Sequence, residues 1–574
     1  MAPIAEARAP RSDFLEFLAV ELAPREGRAL AVAHIVAGCV LTVVIAMVFR
    51  IPEPTYMAYI VFLVSKDERG ATVTTAVGGL LAVTLAILLT LGLMLVDLSE
   101  PALRLPAMAL NTFVAMYTVR TFALGPITYL AGFVLVMLQS VVDDVPSPEA
   151  LTHVALWLWV VLFVPVTITI VVNLLFGQSV ALLTRRTVCK VLTELEAALL
   201  AGDTHRNLAR WRELVASLLG KQPHGGANDH PRPLISVAAL RRLLDTLVML
   251  ETLPDTTDTG VRQGLARQVR ACRTLLETEP HSVPIASASE GTASVLALEA
   301  ALRGFQQEIT QPTAPAAPAA HKHQLIAPDA FTNPAHWQFA LKTTIAVMVV
   351  YFIYTMLDWP GLRTSIVTCF FVALGSLGET VHKLVLRISG ALIGGLIAGL
   401  CIVFVLPHMT DIGQLSLLIA IVSAGAAWVA TSSELLSYAG LQIAFAFFLG
   451  ILQNYAPATD LTVLRDRIVG ILLGNVVMTV VFTVLWPESA TAVLRTALSQ
   501  AQQAVGAVLK HTGDPTEARA QTAQALVRAH HFSLLRRFEL SMLTQPTREG
   551  AAVEEVADLE RTAGEAFVAT YDIV

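Results

Sequence analysis

Apolar residues gather into long runs in two separate stretches of this 574-residue chain. Crossing the hydrocarbon core as helix takes about 20 apolar residues. The first stretch predicts spans near residues 30–49, 54–65, 71–96, 103–122, 125–142 and 153–176. The second predicts spans near 337–357, 361–377, 387–406, 412–431, 435–453 and 466–486. Between them the pattern changes to polar positions with apolar ones at helical spacing, as in amphipathic helices of a packed bundle. It predicts helices near 180–201, 203–219, 234–252, 258–278 and 290–309, followed by the Pro/Ala linker 312-PTAPAAPAA-320. The chain thus reads as an N-terminal amphipathic interfacial helix (1–27), a first six-span block (28–178) and a cytoplasmic helical domain with linker (179–335). A second six-span block (336–487) and a polar helical tail (488–574) follow.

The two apolar blocks keep one register. Glu68 and Glu379 each close a short charged loop after the second span, and Gly79 and Gly390 each follow eleven residues later. Pro146 and Pro457 precede the sixth span, and Phe176-Gly177 and Trp486-Pro487 end it. All these pairs share an offset of about 310 residues. Six spans return the chain to its starting side, so the blocks read as parallel repeats, as in the halves of some secondary transporters. The fold class expected is an all-α polytopic membrane protein of two parallel six-span repeats, with a helical domain between them and a helical tail. Lys and Arg of short loops (Lys66, Arg69, Arg120, Arg185, Arg186, Lys190, Lys383 and Arg387 on one side) favour both termini in the cytoplasm of a multi-pass protein.

Composition agrees and narrows the function. Hydrophobic residues are 55% of the chain and charged residues 15%, against about 25% charged in soluble domains. The net charge of −6 carries no basic excess, so nucleic acid is not an expected partner. Five cysteines without CxxC spacing suggest neither zinc nor a disulfide framework. No phosphate loop, nucleophile elbow, HExxH or EF-hand pattern occurs, so no enzyme and no cofactor is expected.

The second span, 54–65, is too short for the bilayer and ends in Lys66-Asp67-Glu68-Arg69-Gly70. The matching region is 375-GSLGETVHKLVLR-387. Short or interrupted segments at corresponding positions of two repeats point to a transporter's substrate site. Charges at membrane depth are costly unless they pair or face water. Lys66, Arg69, Lys383 and Arg387 are therefore the expected anion path, since an arginine fork holds a carboxylate bidentately. Asp67, Glu68, Glu379, His382 and Glu434 are the candidates for proton coupling or gating. Phe371, Tyr438, Phe445 and Phe448 are candidate rings around an aromatic substrate. The plain alternative is inner-loop charges pairing with one another.

The stretches 21-ELAPREGRALAVAHIVAGCVLTVV-44 and 51-IPEPTYMAYIVFLVSKDERGAT-72 resemble the fusaric acid resistance family, as do 157-WLWVVLFVPVTITIVVNLLFG-177 and 386-LRISGALIGGLIAGL-400. That family includes aromatic carboxylic acid exporters of bacterial inner membranes. The resemblance implies efflux of small aromatic or hydrophobic weak acids driven by the proton gradient. It also implies a periplasmic membrane-fusion adaptor and an outer-membrane channel as partners. Plant organic-anion channels look distantly similar, so a gated organic-anion channel is the second reading. The ample apolar area of the blocks is compatible with a homodimer in the bilayer.

Overall fold

The computed structural model describes residues 27–310 and 325–486 apart from gaps at 67, 95–99, 146, 203–207, 222–234, 251–257, 278–292, 373–376, 434, 454 and 456–459. Scattered positions in 18–24 and 495–522 are also described. Most of the expected interfacial helix, the Pro/Ala linker and most of the tail lie outside the described residues. The described chain is helical and separates into two compact units, the first holding both apolar blocks and the second the intervening polar segment.

The first block folds as α1 (Arg28–Phe49), α2 (Pro54–Val64), α3 (Arg69–Met94), α4 (Pro101–Thr121), α5 (Gly125–Val141) and α6 (Pro148–Phe176). The polar segment forms α7 (Val180–Ala201), α8 (Leu208–Lys221), α9 (Val237–Met249), α10 (Thr259–Glu277) and α11 (Ala293–Thr310). The second block forms α12 (Pro334–Met356), α13 (Thr364–Val372), α14 (Leu377–Leu400), α15 (Ile412–Ala430), α16 (Ser437–Ile451) and α17 (Thr462–Val484). Seven described segments, which include α1, α3, α6, α12, α14, α15 and α17, are long and apolar enough to cross a membrane. Their outward faces carry Leu81, Leu88, Leu396, Ile421 and Val480, as expected where lipid is the neighbour.

The largest boundary difference from the sequence expectation lies at the third span of the second block, and the span expected at 361–377 is shorter, with α13 covering Thr364–Val372. Apolar periodicity places the third span of the second block from residue 387, whereas α14 begins at Leu377. Helix tolerates charge readily when the first turn carries an acid, and Glu379 sits there, where the N-terminal dipole favours it. Glu379, His382, Lys383 and Arg387 are consequently helical residues on successive turns of α14. In the first block the matching acid, Glu68, precedes α3, and its carbonyl accepts the Thr72 N–H at 3.0 Å.

Within each block the packing follows one scheme. Helix α1 packs on α2 and α6, α2 on α6, and α4 on α5; α12 packs on α13 and α17, α13 on α17, and α15 on α16. The contacts between blocks are crossed in the same way. Helix α1 meets α15 and α12 meets α4, while α2 meets α16 and α13 meets α5. Each crossing of the long helices is closed by a cation over an aromatic ring. Arg28 at the start of α1 lies 4.5 Å from the Trp428 ring centroid, donates to the Trp428 carbonyl and reaches Thr431 Oγ1 at 3.2 Å. Arg120 at the end of α4 lies 5.1 Å from the Phe339 ring and donates to the Ala335 carbonyl at 3.2 Å. A desolvated cation–π contact contributes on the order of 2 kcal/mol.

Small residues set the separation of α14, α15 and α16. A methyl at Gly390 would stand 2.7 Å from both the Ala439 carbonyl oxygen and Gln442 Cβ, and one at Gly440 would overlap the Ala430 backbone nitrogen. Close backbone approach of this kind holds helices together where lipid removes the hydrophobic drive.

The second unit is a bundle with its own core. Val191, Leu195, Trp211, Leu240, Leu243, Leu247, Val269, Leu298 and Phe305 converge there. Glu196 accepts from Arg270 Nε at 2.6 Å and forms an ion pair with Arg273 at 3.0 Å, and Trp211 Nε1 donates to Glu194 at 2.7 Å. Burial in this core pushes the Cys272 thiol up to about 12 from an ordinary 9.0.

Gly440→Val should remove about 1–3 kcal/mol through overpacking, read as a lower detergent melting temperature. Gly425→Ala, where a methyl meets nothing within 4 Å, should melt like the parent. The Cys272 shift gives a second expectation. Between pH 9 and 12 the unfolded chain releases the thiol proton while the folded bundle retains it, so stability falls as pH rises. Thermal melts at pH 7.5 and 10.5, compared with Cys272→Ala, measure this slope, which the substitution should reduce.

Candidate functional site

The geometry centres on Arg387. Ten residues into α14, it is 1% exposed, and its Nη1 donates to the Tyr438 hydroxyl at 2.8 Å. Its Nε and Nη2 are buried with no hydrogen-bond partner. Those two nitrogens form one edge of the planar guanidinium, the edge whose N–H groups run parallel and match the two oxygens of a carboxylate. An unpaired buried donor costs about 1–3 kcal/mol, and more when it carries charge. Lys383, one turn earlier on α14, places its ammonium 4.9 Å from the Tyr438 ring. Two cations therefore meet one tyrosine, from the face and at the hydroxyl.

Two aromatic seams flank this point, and each is made by one of the short helices. Helix α2 has eleven residues and α13 nine, about 16 and 14 Å of helix. On α2, Tyr59 lies 4.2 Å from the Phe445 ring of α16, and Tyr56 lies 6.0 Å from it. Thr55 fastens the same pair by donating to the Phe448 and Leu452 carbonyls at 3.1 and 2.9 Å. On α13, Phe370 and Phe371 stand 5.4 and 5.1 Å from the Phe133 ring of α5, and both stand 6.1 Å from Tyr129. Arg387 acts electrostatically on Tyr59 in one seam and on Tyr129 in the other. The site thus sets a buried guanidinium with an unbonded edge near two groups of tilted and edge-on aromatic rings.

Of the residues expected from sequence, Lys383, Arg387, Tyr438, Phe371 and Phe445 lie on the elements that build this site. Phe448 packs against Phe62 and Phe447 at 6.0 and 5.8 Å, in the neighbouring apolar core. Lys66 and Arg69 are exposed at the α2–α3 junction. There Arg69 N–H donates to the Gln178 carbonyl at 3.3 Å, and Lys66 exchanges hydrogen bonds with Thr72 Oγ1 at 2.9 and 3.1 Å. Glu68 is buried beside them and His382 is half-buried on α14. Asp67 and Glu434 lie outside the described residues. Among the described residues no group of three His, Cys, Asp or Glu side chains is arranged to hold a metal.

Sequence reasoning missed Tyr59, Tyr129, Phe133 and Gln442. Gln442 is 1% exposed, one turn beyond Tyr438 on α16. Its signal was an amide inside an apolar run, of the kind that ordinarily bonds between helices.

Residues 333–481, from the head of α12 almost to the end of α17, match the family model described as fusaric acid resistance protein-like. The chain is also 28% identical over 517 residues to the multidrug resistance protein MdtO of Escherichia coli O6:H1, covering 86% of this chain and 75% of that protein. It is 29% identical over 493 residues to MdtO of Escherichia coli K12, covering 83% and 72%, and 28% identical to that of Shigella flexneri over 86% and 75%. The chain is related to these proteins over most of its length. No solved structure matches it. All of Arg387, Tyr438, Gln442 and Phe445 fall within the matched segment, whereas Tyr59, Tyr129 and Phe133 come from the other block.

Tyr438→Phe should release the Arg387 guanidinium from its one side-chain hydrogen bond while keeping the ring under Lys383. The detergent melting temperature should then fall, in keeping with the loss of a charge-assisted bond of about 1.5 kcal/mol, and a thermal melt beside the parent measures it.

Proposed function

We propose that this protein is an inner-membrane efflux transporter for small aromatic or hydrophobic carboxylic acids. The carboxylate sits on the Nε–Nη2 edge of Arg387, and the ring lies among the side chains of the two seams. The observation that carries this reading is the buried, unpaired guanidinium edge. A fold stabilised without a ligand would not leave a cation desolvated and half-bonded, because breaking or omitting a buried partner costs about 3–5 kcal/mol. An incoming carboxylate supplies the missing charge and two hydrogen bonds together. The names of the related proteins, which describe resistance to drugs and to an aromatic acid, support the same reading.

The two blocks act as parallel six-span repeats with both termini in the cytoplasm. The crossed packing of α1 on α15 and α12 on α4, and of α2 on α16 and α13 on α5, supports that arrangement. The short helices α2 and α13 are the moving parts, since each ends inside its block and each carries one aromatic seam. Exposed Lys66 and Arg69 collect the anion at the cytoplasmic mouth. Glu68, Glu379 and His382 exchange the proton that returns as the acid leaves, with Asp67 and Glu434 as further carriers. A periplasmic adaptor and an outer-membrane channel take the product onward.

Cells making Arg387→Gln should export an aromatic carboxylate at least about a hundredfold more slowly, in keeping with the ~2–5 kcal/mol carried by buried hydrogen-bonded charge pairs. Arg387→Lys keeps the charge without the fork and should recover only part of the loss. Membrane levels of each variant, measured in parallel, separate transport from folding. Wild-type export by Arg387→Gln at normal protein level would overturn the reading.

A further inference from the structure

Each crossed pair of helices that carries an aromatic seam is bridged a second time, where the chain turns into its short helix. The corner ahead of α13 is a tight turn, Pro360–Arg363, and Arg363 Nη2 donates to the Asp144 carboxylate in the loop between α5 and α6. The corner ahead of α2 runs from Arg50 to Glu53, and its Arg50 carbonyl accepts from the Tyr455 hydroxyl at 3.0 Å, in the loop between α16 and α17. Asp144 and Tyr455 occupy the same place in the repeat register. The two bridges are thus one contact used twice, once as an ion pair and once as a hydrogen bond. Both corners turn through a non-glycine residue in the left-handed region, Arg50 at φ 50° and Asp358 at φ 49°, a conformation that the surrounding structure must hold. The second corner is held by its own block, since Trp359 lies with its ring centroid 5.4 Å from the Arg465 guanidinium of α17. Arg363 therefore follows the second block, while Asp144 belongs to the first.

The blocks are fastened differently at their other end. There Arg28, at the head of α1, and Arg120, at the foot of α4, each lie on a ring of the opposite block and donate to a backbone carbonyl as well, and Arg28 is buried. The Arg363 and Asp144 side chains are 20% and 43% exposed, and an ion pair open to water contributes little net. A contact of that strength suits a joint that opens and recloses. We infer that Arg363 and Asp144 are gating residues of the transport cycle. The pair is closed in this conformation and parts as the second block moves against the first, which opens the α13–α5 seam. Along α13 the pair lies about two turns from Phe370, and along α5 about three turns from Phe133, so it stands at the loop end of that seam. The inference rests on the transporter reading and the orientation proposed above, under which these corners face the periplasm.

The test uses the full chain in right-side-out membrane vesicles. The double variant Arg363→Cys, Asp144→Cys is bridged by a bifunctional methanethiosulfonate, whose span replaces the two side chains and whose disulfides a reductant removes. Efflux of preloaded benzoate should fall in proportion to the crosslinked fraction and return on reduction. Each single cysteine variant, treated alike, should keep its untreated rate. A second measurement needs no substrate. A Phe133→Cys reporter should react with a membrane-impermeant maleimide about twofold to fivefold faster when Arg363→Gln and Asp144→Asn remove the pair, the population change that an exposed ion pair's strength allows. Undiminished efflux by fully crosslinked protein would overturn the inference, as would unchanged labelling of the reporter. The anion reading of Arg387 fails separately: normal export by Arg387→Gln would sink it whether or not the crosslink stops efflux.

Discussion

A guanidinium held between helices in an apolar setting must find a counter-charge or pay for its absence. Arg387 uses Nη1 on Tyr438 and leaves its carboxylate-shaped edge without a partner. Much of the architecture around it can be understood as holding that edge open. Gly390 and Gly394 bring α14 close to α16. Tyr438 fixes its rotation, and Lys383 over the same ring adds a second positive charge on the approach. Arg387 is itself 1% exposed.

The frame is close to symmetric and the site is not. Crossed contacts between the blocks pair α1 with α15 and α12 with α4, each closed by an arginine on an aromatic ring. The arginine comes from the first block in both clasps, from the head of α1 in one and the foot of α4 in the other. The short helices repeat the pattern, with Tyr59 of α2 and Phe370 of α13 at equivalent positions in the repeat register. Only the second block, however, supplies Arg387 and Gln442. In the first block the same register holds Ala76 and Ala131, so this polar pair has no counterpart there.

The helices were largely legible in the sequence because apolar runs and amphipathic periodicity are local signals. The expected helices near 180–201 and 258–278 agree closely with α7 and α10. Arg387 was legible as well, since an arginine inside an apolar run is costly enough to demand a role. The start of α14 was not, because a hydropathy pattern ends where charge begins, whereas the helix continues through Glu379, His382 and Lys383. Tyr59 and Tyr129 were missed for a different reason. Their value comes from partners hundreds of residues away, Phe445 for one and Phe370 for the other, and no local spacing encodes that. The clasp arginines Arg28 and Arg120 look from sequence like ordinary flanking charges, and only the fold gives them rings to sit on.

The most direct measurement is a structure of the full chain in a lipid nanodisc or crystal with saturating 4-bromobenzoate, locating the bromine and the carboxylate separately. The account predicts both carboxylate oxygens within hydrogen-bond distance of Arg387 Nε and Nη2, with the bromine directed between the Tyr59–Phe445 and Tyr129–Phe370 rings. A ligand bound only at Lys66 and Arg69, with the Arg387 edge still empty, would contradict it.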